Sequence, residues 1–144
     1  MRFFASILII SFLTACNPNT TSFNFSSPST YDYAQMNHIE WVDLFHQQEC
    51  DYFAYIYSET CGHCNEIKNE IIYFSYNYQS PTYFVIYDKE IPLIDDKEQV
   101  IDKDKIEDIG ILGTPTLFHV VNHKINENIV GSKDIKNYIT KLLK

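Results

Sequence analysis

The hydrophobic pattern changes its period several times along the chain, and each change predicts an element. Residues Tyr52 to Tyr57 are apolar or aromatic throughout, which is typical of a central strand covered on both faces. An amphipathic stretch follows as far as about Tyr78, and it predicts a helix whose apolar stripe consists of Cys64, Ile67, Ile71 and Phe74. Pro81 interrupts this pattern, and Thr82 to Tyr87 predicts a second buried strand. Together these elements predict a βαβ unit with parallel strands and a right-handed crossover.

The last part of the chain predicts a hairpin followed by a helix. Thr116 to Val121 and Lys124 to Val130 are expected to be strands joined by a turn at Asn122-His123. Gly131 ends the second strand, and Ser132 is expected to cap the final helix. The buried stripe of that helix is predicted to be Ile135, Ile139 and Leu142.

Three weaker patterns lie between and before these elements. Tyr31 to Met36 is expected to add a short first strand. Asn37 and Glu40 have the spacing of a capping box, which predicts a helix ending near Gln48. The segment 88–108 is mostly charged and turn-like, with a short helix expected around Asp104 to Ile109.

The amino-terminal residues have the features of an export signal. A positive start at Met1-Arg2 precedes an apolar run, Phe3 to Leu13, that is too short to span a bilayer as a helix of about 20 residues. Leu13-Thr14-Ala15-Cys16 resembles the bacterial lipobox, which implies cleavage before Cys16 and acylation of Cys16. The alternative is ordinary secretion, or an uncleaved anchor. We therefore expect three segments: a lipoprotein signal peptide at residues 1–15, a lipidated flexible tether at 16–30 and one folded domain at 31–144.

Composition narrows the class of protein. The chain has 144 residues, 45% of them hydrophobic and 15% aromatic, which is typical of one small globular domain. Its formal net charge is -8, and Arg2 is the only arginine. Because phosphate contacts require clustered Lys and Arg, a nucleic-acid partner is not expected.

The candidate chemistry lies in Cys61-Gly62-His63-Cys64, at the start of the first predicted helix. At a helix N-terminus, backbone N–H groups and the helix dipole favour a thiolate, so Cys61 is expected to be the nucleophile and Cys64 the resolving thiol. His63 can add positive charge, or it can simply face solvent with little effect. The pair could instead form a structural disulfide. A zinc site is a further alternative, for which the only nearby additional ligands are His46, Cys50 and His63.

Two motifs in the expected order carry a family resemblance. The Cys-Gly-His-Cys motif at 61–64 and Gly-Ile-Leu-Gly-Thr-Pro-Thr-Leu at 110–117 resemble the thioredoxin superfamily, and the first is the variant familiar from protein disulfide isomerases. The resemblance spans roughly Asn37 to Lys144. It implies an α/β thioredoxin fold, with a central mixed sheet flanked by helices. It also implies a cis Pro115 that packs against the disulfide, beside a strand edge at Thr114 that binds substrate. An ordinary trans proline in a turn is the alternative.

The resemblance also implies a function. It indicates a thiol-disulfide oxidoreductase that needs no cofactor or metal, because the Cys61–Cys64 dithiol is the redox centre. The lipobox resemblance adds the expectation that this protein is membrane-anchored and extracytoplasmic. A cation at His63 would favour oxidation or isomerisation over reduction. The expected partners are cysteine-containing proteins or peptides, and a redox partner that is itself a membrane protein. The alternative is an accessory lipoprotein that uses the same fold to hold a peptide or partner without turnover.

Three positions depart from the pattern of this family. Tyr55 replaces the buried acid that moves the proton of the second cysteine, Thr60 replaces a tryptophan, and Asn69 replaces a proline in the active-site helix. The Tyr55 hydroxyl, Glu59 or water could take over the proton transfer. The odd thiol, Cys50, is expected either to pack inertly or to form a regulatory or intermolecular disulfide.

Overall fold

Four strands and two α-helices form the framework of residues 37–144, which are the residues that the computed structural model describes. The strands are β1 (Asp51–Tyr57), β2 (Thr82–Ile86), β3 (Thr116–Val121) and β4 (Lys124–Val130). The helices are α1 (Gly62–Asn77) and α2 (Ser132–Leu142), and three short 3₁₀ helices span Trp41–Asp43, Lys97–Val100 and Ile106–Asp108. The predicted signal peptide, the tether and the strand at Tyr31 to Met36 lie outside the described residues.

The sheet is mixed, and its order is β2-β1-β3-β4. Strand β1 pairs in parallel with β2 and antiparallel with β3, which in turn pairs antiparallel with β4. The four strands predicted from Tyr52 onward and the two predicted amphipathic helices, after the first and last of these strands, are therefore present, with bounds that differ from the prediction by at most one or two residues.

Strand β1 is buried on both faces, as its continuous apolar run predicted. Its residues from Tyr52 to Tyr57 are at most 1% exposed, and alternate side chains enter two separate cores. Phe53, Tyr55 and Tyr57 pack with the apolar stripes of α1 and α2, among them Cys64, Ile67, Ile71, Ile135 and Ile139. Both α-helices therefore cover the same face of the sheet.

Irregular segments cover the other face, and here the prediction of a helix ending near Gln48 is wrong. Only Trp41–Asp43 forms a 3₁₀ turn. The Ile39 N–H donates to the Phe84 carbonyl oxygen over 3.0 Å, so the chain pairs with the edge of β2 before that turn. Because this pairing holds the backbone extended, the potential capping box at Asn37 does not start a helix.

Two further boundaries differ from the sequence prediction. The helix expected around Asp104 to Ile109 is only the 3₁₀ turn Ile106–Asp108. Gly131, with φ of 89°, occupies the N-cap position of α2, and Ser132 is the first helical residue. Since the left-handed backbone at this cap favours glycine, the Ser132 hydroxyl is available for a tertiary contact instead.

The segment preceding β3 is fixed by the loop that leads away from β2. Leu93 forms a bridge with Ile111: the Ile111 N–H donates to Pro92 over 2.9 Å, and the Ile94 N–H donates to Ile111 over 3.0 Å. A Cβ atom on Gly110 would lie 2.5 Å from the Pro92 carbonyl oxygen. This position therefore requires glycine. In the part of the chain from 37 onward, no helix is long and apolar enough to cross a membrane.

Candidate active site

Cys61 caps the helix that follows β1. The chain leaves β1 at Tyr57, turns through Ser58, whose carbonyl oxygen accepts the Cys61 N–H over 3.1 Å, and enters α1 at Gly62. The Cys61 sulfur accepts the Cys64 N–H over 3.2 Å, in the manner of a side-chain N-cap. Both cysteines are in the dithiol form. Cys61 is half-buried, whereas Cys64 is fully buried one turn further into the helix.

The two thiols have opposite acidities. Burial tends to raise the pKa of Cys61, but hydrogen bonds from the side chains of Cys64 and Thr114 and from two backbone N–H groups outweigh it, so the pKa is lowered. Burial is also the main reason that the pKa of Cys64 is raised to about 11, and its hydrogen bond with Cys61 adds to the effect. Cys61 is therefore the more readily ionised thiol, and Cys64 keeps its proton.

The second motif lies directly beside Cys61. The Thr114–Pro115 bond is cis, which agrees with what the resemblance implied. The Cys61 thiol donates to the Thr114 carbonyl oxygen over 3.3 Å, across 53 positions of sequence. The Pro115 carbonyl oxygen accepts the Gly131 N–H over 2.9 Å. The fold therefore brings together the start of α1, the proline loop and the start of α2.

His63 takes a different position from the one expected of a cation facing the sulfur. Its side chain is 72% exposed, and its Nδ1 lies 3.1 Å from Oε2 of Glu66. The same carboxylate oxygen accepts the Ser132 hydroxyl over 2.9 Å. The hydrogen bond with His63 is the main reason that the pKa of Glu66 is lowered. It is the His63 backbone N–H that contributes directly to the lowered pKa of Cys61.

Glu66 and Ser132 are site residues that the sequence reasoning missed. The spacing of His63 and Glu66, three positions apart on a helix, is a recognisable pair signal. Ser132 is 66 positions from Glu66, and no local pattern predicts that contact.

Tyr55 occupies the buried position where the resemblance implies an acid. Its side chain is fully buried and belongs to the same core as Cys64. Its ring stacks against Tyr57 at a centroid distance of 5.8 Å, and the Tyr57 hydroxyl lies 2.7 Å from Nε2 of His38. The environment behind the dithiol is therefore aromatic, with hydroxyl and imidazole groups. The other two departures, Thr60 and Asn69, lie on the surface.

Cys50 is not a third thiol of the site. It is disulfide-bonded. This excludes the interpretation of Cys50 as an unreacted packing thiol. His46 pairs with Asp43 at 3.7 Å. Among residues 37–144, no group of three or more His, Cys, Asp or Glu side chains is arranged to hold a metal ion.

Comparisons with known proteins bear on the fold. No protein-family profile and no curated protein matches the chain significantly. A solved structure described as a candidate oxidoreductase with a thioredoxin fold is 20% identical, with a TM-score of 0.53 over 78% of this chain and 98% of that one. Thioredoxin from Aeropyrum pernix is 20% identical over 76% of this chain and 77% of its own, with a TM-score of 0.46. Thioredoxin from Nicotiana alata is 16% identical over 85% and 100%, with a TM-score of 0.47.

The first of these similarities bears on the mixed four-stranded sheet and the helices that cover it. The chain has a thioredoxin fold, as the sequence predicted.

Proposed function

We propose that this protein is a thiol-disulfide oxidoreductase whose redox centre is the Cys61–Cys64 dithiol. The observation that carries the proposal is the contrast between an accessible thiol of lowered pKa at a helix N-cap and a buried thiol whose pKa is raised to about 11. Attack on a substrate requires the first kind of thiol, and the buried second thiol, one helical turn away, can resolve the mixed disulfide once it has lost its proton.

The exchange needs no group beyond the two sulfurs. The Cys61 thiolate attacks one sulfur of a substrate disulfide, forming a mixed disulfide and releasing the other substrate sulfur as a thiolate. Cys64 then gives its proton to water or to the thiolate released in the first step and attacks the Cys61 sulfur, which releases the second substrate thiolate. The substrate gains two electrons and the protein becomes a disulfide. Run in reverse, the same steps oxidise a substrate dithiol.

The edge beside Pro115 is the proposed docking position for the substrate. Thr114 lies within hydrogen-bond distance of Cys61, so an extended cysteine-containing segment that pairs with the Thr114 backbone would carry its sulfur to the nucleophile. Cysteine-containing proteins or peptides are the substrates that this arrangement fits.

Trapping tests the proposed exchange. Cys64→Ser leaves the nucleophile in place but removes the resolving thiol, so disulfide-linked substrate complexes should accumulate. The matched control is Cys61→Ser, which should accumulate none. If Cys61→Ser is also without effect on the function in cells, the protein acts by binding alone and the oxidoreductase proposal is wrong.

We further propose that exchange runs in the direction of oxidation or isomerisation. A stabilised thiolate favours the reduced dithiol and so makes the disulfide more oxidising. Equilibration of a Cys16→Ser, Cys50→Ser variant against glutathione buffers measures the potential of the remaining pair. A value above about -200 mV supports an oxidase or isomerase, whereas one near about -270 mV indicates a reductase.

The proposed location is the extracytoplasmic side of a bacterial membrane, with Cys16 as the lipid-bearing residue and a membrane protein as the redox partner. The lipobox resemblance at Leu13-Thr14-Ala15-Cys16 supports the anchor. A thiol that carries lipid cannot also pair with Cys50. Mass spectrometry of the unreduced amino-terminal peptide therefore tests the anchor: a diacylglyceryl mass supports it, and a peptide linked through Cys16 and Cys50 contradicts it.

A further inference from the structure

Glu66 is the point where the helix of the dithiol meets the second helix. Its Oε2 atom is contacted by the His63 imidazole at 3.1 Å and by the Ser132 hydroxyl at 2.9 Å. Ser132 directly follows Gly131, whose N–H is bound to the Pro115 carbonyl oxygen. Thr114, on the other side of that proline, contacts the Cys61 sulfur. Hydrogen bonds and two peptide links therefore connect Glu66, through Ser132 and the proline loop, to the Cys61 sulfur.

A protonated His63 imidazole and the Glu66 carboxylate carry opposite charges. A positive charge on His63, two positions after Cys61, would stabilise the Cys61 thiolate through space, and the carboxylate that the imidazole contacts offsets part of that charge. All of these groups are near the surface, so the offset is modest and depends on salt. Ser132 reduces the freedom of the carboxylate, since it approaches from a different element than His63 does.

We propose that Glu66 is a positioning residue of the dithiol, which holds the His63 imidazole and limits how far its charge stabilises the Cys61 thiolate, with Ser132 fixing the carboxylate from α2. The proposal rests on the proposed oxidoreductase function and adds the group that moderates its oxidising strength. His63 and Glu66 then act as a balanced pair, and the dithiol is less oxidising than the same motif would be with an uncompensated histidine.

The decisive variant is Glu66→Gln, which keeps the length and an acceptor oxygen but removes the charge. In the full chain at pH 5.5, Cys61 should react with a disulfide reagent roughly two- to fourfold faster than in the wild type. The reaction is followed at the Cys61 peptide by mass spectrometry. The equilibrium with glutathione should shift by a similar factor toward the reduced dithiol.

The chain offers a matched control one turn further along α1. Glu70 forms an ion pair with Lys136 of α2, so Glu70→Gln also removes a contact between the two helices, at a position away from His63. Its Cys61 reaction rate should equal that of the wild type. Ser132→Ala should raise the rate by less than Glu66→Gln does, and Ser132→Thr, which keeps a hydroxyl, should restore it.

The same substitution, made in a protein that already carries His63→Gln, tests whether Glu66 acts on Cys61 through His63. With His63→Gln present, the additional change Glu66→Gln should alter the rate by less than half as much as it does alone. Equal rates in Glu66→Gln and Glu70→Gln, or an undiminished effect in the His63→Gln background, would overturn the inference. The reaction of Cys61 with the disulfide reagent does not require the protein to catalyse disulfide exchange. A dithiol that forms no reversible disulfide therefore defeats the proposed function, while the rate comparison still decides the role of Glu66.

Discussion

At the scale of single residues, the two cysteines have opposite acidities although they are only three positions apart in the sequence. The Cys61 sulfur takes the place of a capping side chain and receives the N–H of Cys64, whereas the Cys64 sulfur is enclosed among the side chains of β1 and α1. Hydrogen bonds donated to a sulfur favour its ionised form, and burial favours its protonated form. The position of each sulfur relative to the helix end therefore assigns the roles of nucleophile and resolving thiol.

Alkylation should show this difference directly. In the reduced protein at pH 7, iodoacetamide should modify Cys61 at least roughly tenfold faster than Cys64, because the alkylation rate follows the thiolate fraction. Peptide mass spectrometry over time measures both rates. Equal rates in the folded protein, with a fully denatured sample as the reference, would contradict the assignment.

The lowered pKa of Cys61 also makes the stability of the reduced protein depend on pH. A thiol whose pKa is lower in the folded than in the unfolded chain contributes stability above the ordinary thiol pKa, and this contribution is lost as the pH falls through the lowered value. Urea unfolding of the reduced protein should therefore show the wild type gaining stability relative to Cys61→Ser between pH 5 and pH 9. A constant difference across that range would exclude a stabilised thiolate.

A hydroxyl on the opposite face of β1 fixes the segment that was expected to be helical. Tyr52 is fully buried, and its hydroxyl donates to the Leu44 carbonyl oxygen over 2.5 Å. Burial raises the pKa of this phenol, so it stays a donor at all physiological pH values. Tyr52→Phe should lower the free energy of unfolding by about 1 kcal/mol, measured by urea denaturation. Tyr73→Phe, on the exposed surface of α1, should change it by much less.

At the scale of elements, the proline loop depends on the segment that lies next to it. Pro92 and Ile94 form backbone hydrogen bonds with Ile111, and this approach leaves no room for a side chain at Gly110. The loop that presents Thr114 to Cys61 is therefore positioned by a chain segment about 20 residues earlier, in the part of the sequence that looked only charged and turn-like.

Gly110→Ala tests that packing. A methyl group 2.5 Å from the Pro92 carbonyl oxygen has to displace backbone, which costs about 1–3 kcal/mol of folding free energy. The rate at which Cys61 reacts should change as well, since Thr114 would move with the loop. Gly62→Ala is the matched control for stability, because its added Cβ would have no neighbour within 4 Å. Equal stability of the two variants would show that the loops do not depend on each other.

A helix or strand could be predicted from the sequence when the interactions that form it lie close together in the chain. The strands β1, β3 and β4 and both helices follow from apolar runs, amphipathic periods and turn residues, all of which the sequence displays. The segment after Asn37 has helical signals of its own, but its hydrogen bond to Phe84 lies across the fold. Because that partner is more than 40 positions away, no local pattern could reveal that the chain stays extended.

At the scale of the whole molecule, the redox state of the dithiol and the stability of the fold are linked. A thiolate that the folded structure stabilises lowers the free energy of the reduced folded protein, and this same energy makes the disulfide oxidising. If the protein is an oxidase or isomerase as proposed, its reduced form should be the more stable one.

Unfolding of the two redox forms measures this link. The reduced protein should unfold at a higher urea concentration than the oxidised protein at pH 7, with Cys16→Ser and Cys50→Ser present so that only the site changes. Cys61→Ser under oxidising and reducing conditions serves as the control and should show no difference. A more stable oxidised form would indicate a reductase instead.

The sequence by itself determined the order of the main elements, the double burial of β1 and the two motifs of the candidate site. These depend on side-chain period and on residue types within a few positions of one another. Only the tertiary structure decided the contacts around these motifs: Glu66 and Ser132 around His63, and Pro92 against Gly110. Each of these is a contact between segments far apart in the chain. The energy of such contacts depends on how the whole domain packs, and local sequence patterns do not predict that packing.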